Sequence, residues 1–75
     1  MNNTNIRIEG LEEISGRWFW TVVNEYGESN RYYTSNRGEG IFTDNDKQMT
    51  GLCQFNLNGV SRSTQLRRLR AFFAN

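Results

Sequence analysis

Arg17-Trp18-Phe19-Trp20-Thr21-Val22-Val23-Asn24 is the stretch whose reading decides the fold. It is dense in aromatic and β-branched side chains, which suit a pleated surface and lose rotamer freedom in a helix. The segment runs into Asn24-Glu25-Tyr26-Gly27, a turn by composition. It returns as Asn30-Arg31-Tyr32-Tyr33-Thr34-Ser35, the antiparallel partner of a hairpin. Trp18, Trp20 and Val22 point one way on the first strand, and Phe19, Thr21 and Val23 the other. On the second strand Tyr32 and Thr34 alternate with Arg31, Tyr33 and Ser35, so cross-strand pairing sets tyrosine beside tryptophan. Aromatic side chains occur on both faces. If the rest of the chain covers Trp18 and Trp20, then Phe19, Tyr33 and Arg31 stay accessible; if it covers Phe19 and Val23, two tryptophans are left outside.

Upstream, residues 1–5 are polar and expected to fray. Ile6-Arg7-Ile8 alternates as a short strand closing at Gly10, and Leu11 to Gly16 reads as a turn. Downstream, Asn36 to Gly40 is a loop, Ile41-Phe42-Thr43 a short strand or apolar plug, and Asp44-Asn45-Asp46 a turn. Met49 to Leu57 alternates again, with Met49, Gly51, Cys53, Phe55 and Leu57 on one face. Asn58-Gly59 turns the chain, in a context where asparagine deamidates. From Ser61 the period becomes helical: Ser61 is the N-cap, and Leu66, Leu69, Phe72 and Phe73 form the apolar stripe. Arg67, Arg68 and Arg70 occupy the other helix faces, and Arg62 lies near the stripe with its stem along the sheet. The pattern predicts an α+β fold, a single domain over 1–75. A small antiparallel sheet of three to five strands is packed by one C-terminal amphipathic helix lying on the Cys53/Phe55/Leu57 face.

Composition excludes more than it assigns. A chain of 75 residues buries only about 60% of its unfolded surface, so its large apolar residues are needed inside. Histidine is absent and Cys53 stands alone. A monomer therefore has no structural zinc site, no cysteine–histidine dyad and no serine–histidine–acid triad. No pocket large enough to separate the pKa values of two carboxylates is expected, so the reading is not an enzyme, with no cofactor, no metal and no small-molecule substrate. No apolar run approaches the roughly 20 residues of a membrane-spanning helix. The lone cysteine and an Asn-rich start without signal-peptide character point to the reducing cytoplasm. Asn2-Asn3-Thr4 matches a glycosylation acceptor, with no other feature favouring secretion. Cys53, alternating with Phe55 and Leu57, is expected to be a buried, inert thiol.

Charge is balanced only in sum. Residues 1–46 carry all eight acids and four arginines, net −4, whereas residues 47–75 carry five cations and no acid. Eight of the nine basic residues are arginine, the cation suited to bidentate and stacking contacts. Arg62, Arg67, Arg68 and Arg70 on the helix, with Arg31, Phe19 and Tyr33 on the hairpin, are the candidate partner-binding residues. Arginines on an exposed helix suit phosphates or an acidic protein surface, and sheet aromatics stack bases or anchor a protein interface. Arg37-Gly38-Glu39-Gly40 lacks the rest of a phosphate loop. Asp44-x-Asp46-x-Gln48 lacks the glycine and glutamate of a calcium loop, Met49 and Phe55 standing in their places.

The layout of strands closed by a basic helix is similar in outline to small nucleic-acid-binding modules, including the three-stranded DNA-binding domains of some recombinases. No zinc finger or aromatic RNA-binding signature accompanies it. The expectation is a small binding module acting through a surface, of the kind found among bacterial or phage accessory proteins. Its contacts are with a protein partner or a second copy of itself, with DNA or RNA as the alternative.

Overall fold

Four strands follow one another as an antiparallel meander: β1 (Arg7–Ile14), β2 (Arg17–Val23), β3 (Ser29–Tyr33) and β4 (Phe42–Thr43), in the order β1-β2-β3-β4. One helix, α1 (Arg62–Phe73), closes the chain and packs on the sheet, which makes the fold α+β as the periodicity predicts. The computed structural model describes residues 5–74. The fraying expected over 1–5 and the glycosylation acceptor at Asn2 therefore lie outside the described residues, Asn5 excepted. Asn5 donates from Nδ2 to Glu25 at 3.3 Å.

The hairpin at the centre has the expected register, with Trp20 opposite Tyr32 and Phe19 opposite Tyr33. Its turn is shaped by Asn24, whose Oδ1 accepts from the backbone N–H groups of Tyr26 and Glu28, while Gly27 takes a left-handed φ of 81°. β1 is longer than the sequence suggests. Gly10 does not end the strand; it adopts φ 64° within a bulge, where Gly10 and Leu11 together face the position of Trp20, and pairing resumes at Glu12–Phe19. The residues read as a turn, Leu11 to Ile14, are thus strand, and Leu11 enters the core. Only Ser15 and Gly16 turn the chain, both at positive φ, as a tight two-residue hairpin requires.

Met49 to Leu57, predicted as an alternating strand, is not one. Leu52–Gln54 is a single 3-10 turn, closed by the Gly51 N–H donating to Gln54 Oε1 at 3.0 Å. A turn of period three cannot keep an alternation of period two. Cys53, inside the turn, is exposed, and Met49, ahead of it, is 42% exposed, where burial of both is predicted. Beyond the turn the chain is extended again, and Phe55 and Leu57 are buried as expected. This segment runs beside the 36–40 loop, with Leu57 N–H donating to Gly38 O and Gly40 N–H to Phe55 O.

The core lies between one sheet face and the helix. Trp20, Ile41, Leu57 and Leu69 are at most 1% exposed, joined by Ile6, Leu11, Val22 and Phe55. Phe73 sets its ring 4.6 Å from Tyr32 and 6.3 Å from Trp20, while Phe72 meets Phe55 edge-on. Edge-to-face and offset ring pairs of this kind each add about 0.5–1.5 kcal/mol beyond area burial. Ser61 Oγ caps the helix by accepting from Thr64 N–H at 3.3 Å. A polar side chain also lies within the helix interface: Gln65 is 4% exposed, and its Nε2 donates to Leu57 O at 2.7 Å. That bond satisfies a buried amide and a buried carbonyl together.

Candidate functional site

The helix covers the Trp18/Trp20/Val22 side of the hairpin, so the opposite side is the open one. Strand register assembles it from Arg7, Glu9, Glu12 and Ile14 on β1, Arg17, Phe19, Thr21 and Val23 on β2, Arg31 and Tyr33 on β3, and Phe42 on β4; of these Val23, at the far end of β2 between Arg7 and Ser29, is buried at 7% exposure outside the core cluster. Three rings form a ladder across three strands. Phe19 and Tyr33 are 6.0 Å apart and tilted, and Tyr33 stacks on Phe42 at 5.6 Å with planes 14° apart. All three are partly exposed, and none belongs to the group packed against the core cluster.

Two guanidinium groups lie on the ladder: Arg17 is 5.6 Å from the Tyr33 ring centre and Arg31 5.6 Å from that of Phe19. Such cation–ring contacts are worth about 0.5–1 kcal/mol at exposed sites. Arg17 also donates from its guanidinium to Thr34 O at 3.5 Å. The Tyr33 hydroxyl donates to the Asp46 carboxylate. That bond, followed by desolvation and the Asp46 charge, raises the Tyr33 pKa above its ordinary 10.0, while Arg17 pulls it down. Asp46 can reach the ring because it occupies the left-handed position (φ 60°) of the Thr43–Lys47 turn, a conformation that aspartate tolerates better than most residues. On the covered face the Tyr32 phenol is raised as well, there by burial.

The surroundings of the ladder mix both signs of charge. Arg7, Arg17 and Arg31 share the face with Glu9, Glu12 and Asp46, and Arg7 pairs with Glu9 at 2.8 Å. Beside it, between the Ser29–Arg31 end of β3 and the Thr43–Lys47 turn, lies an open groove of about 600 Å³ with Arg31, Lys47 and Asp44 among its walls.

Of the residues singled out in the sequence, Phe19, Tyr33 and Arg31 come together on this face. Arg62, Arg67, Arg68 and Arg70 do not join them; they lie on the helix, on the other side of the sheet. Each is held by its own fold. Arg62 donates to Leu11 O at 2.6 Å, with its guanidinium 6.0 Å from the Trp18 ring centre, and Arg70 donates to Ile6 O at 3.0 Å. Arg68 donates to Asn56 O at 2.7 Å, and Arg67 to Thr64 Oγ1 one turn back. None of these four acceptors is an acid. Three of the four arginines tether the helix to backbone elsewhere in the chain, which leaves them fewer free donors than a solvated basic stripe would have.

Arg17 and Phe42 are site residues that the sequence reading missed. Arg17 has the same alternation as Phe19 and was legible on that ground. Phe42 was not, because its place beside Tyr33 depends on how the connection over residues 34–41 returns to form a two-residue strand. Among the described residues no cluster of metal-ligating side chains occurs, and no helix is long and apolar enough to cross a membrane. No protein-family model, curated protein or solved structure matches the chain.

Proposed function

We propose that this protein is a small, non-enzymatic binding module whose contact surface is the open sheet face, and that its partner is a protein surface. The observation that carries the reading is the Phe19–Tyr33–Phe42 ladder, which lies outside the core and is bordered by arginines and carboxylates in equal number. An aromatic centre with a mixed-charge rim is the make-up of protein interfaces, where rigid rings and arginine supply most of the binding energy. Glu9, Glu12 and Asp46 oppose a phosphate backbone laid across the same rings, which favours protein over nucleic acid as the ligand. Self-association through this face is the simplest form of the proposal.

Sedimentation of the purified chain, and capture experiments comparing wild type with Phe19→Asp and Arg67→Ala, test it. Self-association or a specific partner that persists in moderate salt, lost in Phe19→Asp and kept in Arg67→Ala, supports the sheet face. Equal behaviour of all three proteins removes it. Nucleic acid takes its place if a mixed oligonucleotide binds with an affinity that falls linearly on a log–log salt plot, and if Arg67→Ala and Arg68→Ala each reduce the slope by about one.

A further inference from the structure

Asn58-Gly59 is the one asparagine–glycine pair in the chain, and the Asn58 carboxamide joins three segments distant in sequence. Its Oδ1 accepts from Trp18 Nε1 at 2.8 Å, at the start of β2. Its Nδ2 donates to Arg37 O at 2.6 Å, in the 36–40 loop. The Asn58 backbone N–H donates to Asn56 Oδ1 at 2.7 Å. Gly38 lies against the carboxamide at φ 75°: a Cβ there would stand 2.6 Å from Asn58 Cγ. Glycine at 38 is therefore required twice, by its backbone conformation and by the amide packed on it.

Gly59 brings a chemical vulnerability to the same amide. Glycine has no Cβ to hinder its own nitrogen, which can attack the preceding asparagine side chain. A bond forms from Gly59 N to Asn58 Cγ, the side-chain nitrogen leaves as ammonia with the proton from Gly59, and a cyclic imide results. Water then opens the imide at either carbonyl, giving aspartate or isoaspartate at position 58.

We propose that Asn58 is a deamidation site under the control of the fold, held off while the Trp18–Asn58–Arg37 clamp is closed and released when it opens. Ring closure expels Nδ2, the nitrogen that donates to Arg37 O, and carries into the imide the carbonyl that Trp18 Nε1 holds beside Gly38, so it is opposed by the contacts that fix the carboxamide. The change is not neutral for the refolded chain. A carboxylate has no N–H to offer Arg37 O, so an acceptor is left facing an acceptor, and isoaspartate also lengthens the backbone at the turn. Each opening of the clamp thus risks a product that closes less well.

The test is peptide mapping by mass spectrometry after parallel incubation of the folded protein and of the same chain in guanidinium chloride, at mildly alkaline pH. Conversion at Asn58 should be at least about tenfold slower in the folded chain, because reaction must wait for local opening. Gly59→Ala, strained in the folded chain because Gly59 sits at φ 77°, should slow conversion in denaturant, where that strain is absent, by hindering the nucleophile. Trp18→Phe keeps a ring and removes the indole donor, and should raise the folded-state rate without changing the denatured one. Asn58→Asp should unfold at lower denaturant than wild type, a reading that does not depend on whether Trp18→Phe folds. Equal rates in folded and denatured chain, an unchanged denatured rate in Gly59→Ala, an unchanged folded-state rate in a folded Trp18→Phe, or wild-type stability in Asn58→Asp would each overturn the proposal.

Discussion

On the covered face of the sheet Trp20 is 1% exposed, with its ring stacked on Tyr32 and the edge of Phe73 against it. One residue earlier on the same strand, Phe19 is partly exposed, pairs with Tyr33, and has a guanidinium for its other neighbour. Both faces of this hairpin carry cross-strand aromatic pairs at similar spacing, 6.2 Å and 6.0 Å. They differ in what lies above the rings: Phe73 of the helix on one side, arginine guanidinium groups on the other. Ring pairing by itself therefore makes neither core nor interface. A pair becomes core when a second layer removes it from water, and it stays available for a partner when only long, solvated arginines reach across it.

Substitutions one residue apart sharpen this contrast most. Trp20→Ala should cost about 3–5 kcal/mol, a large share of the stability of so small a domain, and denaturant unfolding would show it directly. The cost is reduced slightly because Trp20 Nε1, buried with no hydrogen-bond partner, already carries a penalty that the substitution removes. Phe19→Ala should cost about 1 kcal/mol. Comparable losses in the two proteins would mean that the open face is part of the core, which breaks the comparison.

A smaller effect is expected where the helix is tied to the edge of the sheet. Arg62→Ala and Arg70→Ala each remove a charged hydrogen bond to a carbonyl, at Leu11 and Ile6, and should each destabilise by about 1 kcal/mol in the same experiment. Arg67→Ala, whose contact stays within its own helix, should fall within about 0.5 kcal/mol of wild type. If the three substitutions are equivalent, Arg62 and Arg70 are surface charges and not tethers.

The two tyrosines separate the faces by pH. Both phenols titrate above their ordinary value, Tyr33 mainly through its bond to Asp46 and Tyr32 through burial. Because the folded state favours the neutral phenol, the stability gained from each is fully present below pH 10.0, the unfolded value. It is lost as pH rises through the higher folded values. Asp46→Asn should lower the Tyr33 midpoint toward the ordinary phenol range and leave Tyr32 in place, as followed by ring-carbon NMR. A shift of both, or of neither, would show that Asp46 does not set the Tyr33 titration.

Much of this architecture was readable from residue order. The β2–β3 hairpin, the Trp20–Tyr32 pairing, the Ser61 cap and the helix stripe all follow from local chemistry: β-branched and aromatic density, an asparagine turn, a hydroxyl before a period of 3.6. The two departures from the sequence pattern, at Gly10 and Gly51, share a cause. Gly10 and Gly51 are residues at which an extended chain can stop, bulge or coil, and which of these happens depends on what is packed nearby. At Gly10 the partner strand continues and Leu11 finds the core, so β1 survives with a bulge. At Gly51 the Gln54 side chain closes a turn instead, and Cys53 faces water.

Alternation along Arg17 to Val23 determined that this chain would present aromatic side chains on two sides of a sheet, and the helical period after Ser61 determined that one apolar stripe would cover one of them. Which side is covered was decided only in three dimensions. Both faces of this strand carry aromatic and β-branched side chains, so alternation alone does not choose between them. The choice came from the helix packing beside β1 and from the tethers at Leu11, Ile6 and Leu57 that hold it there.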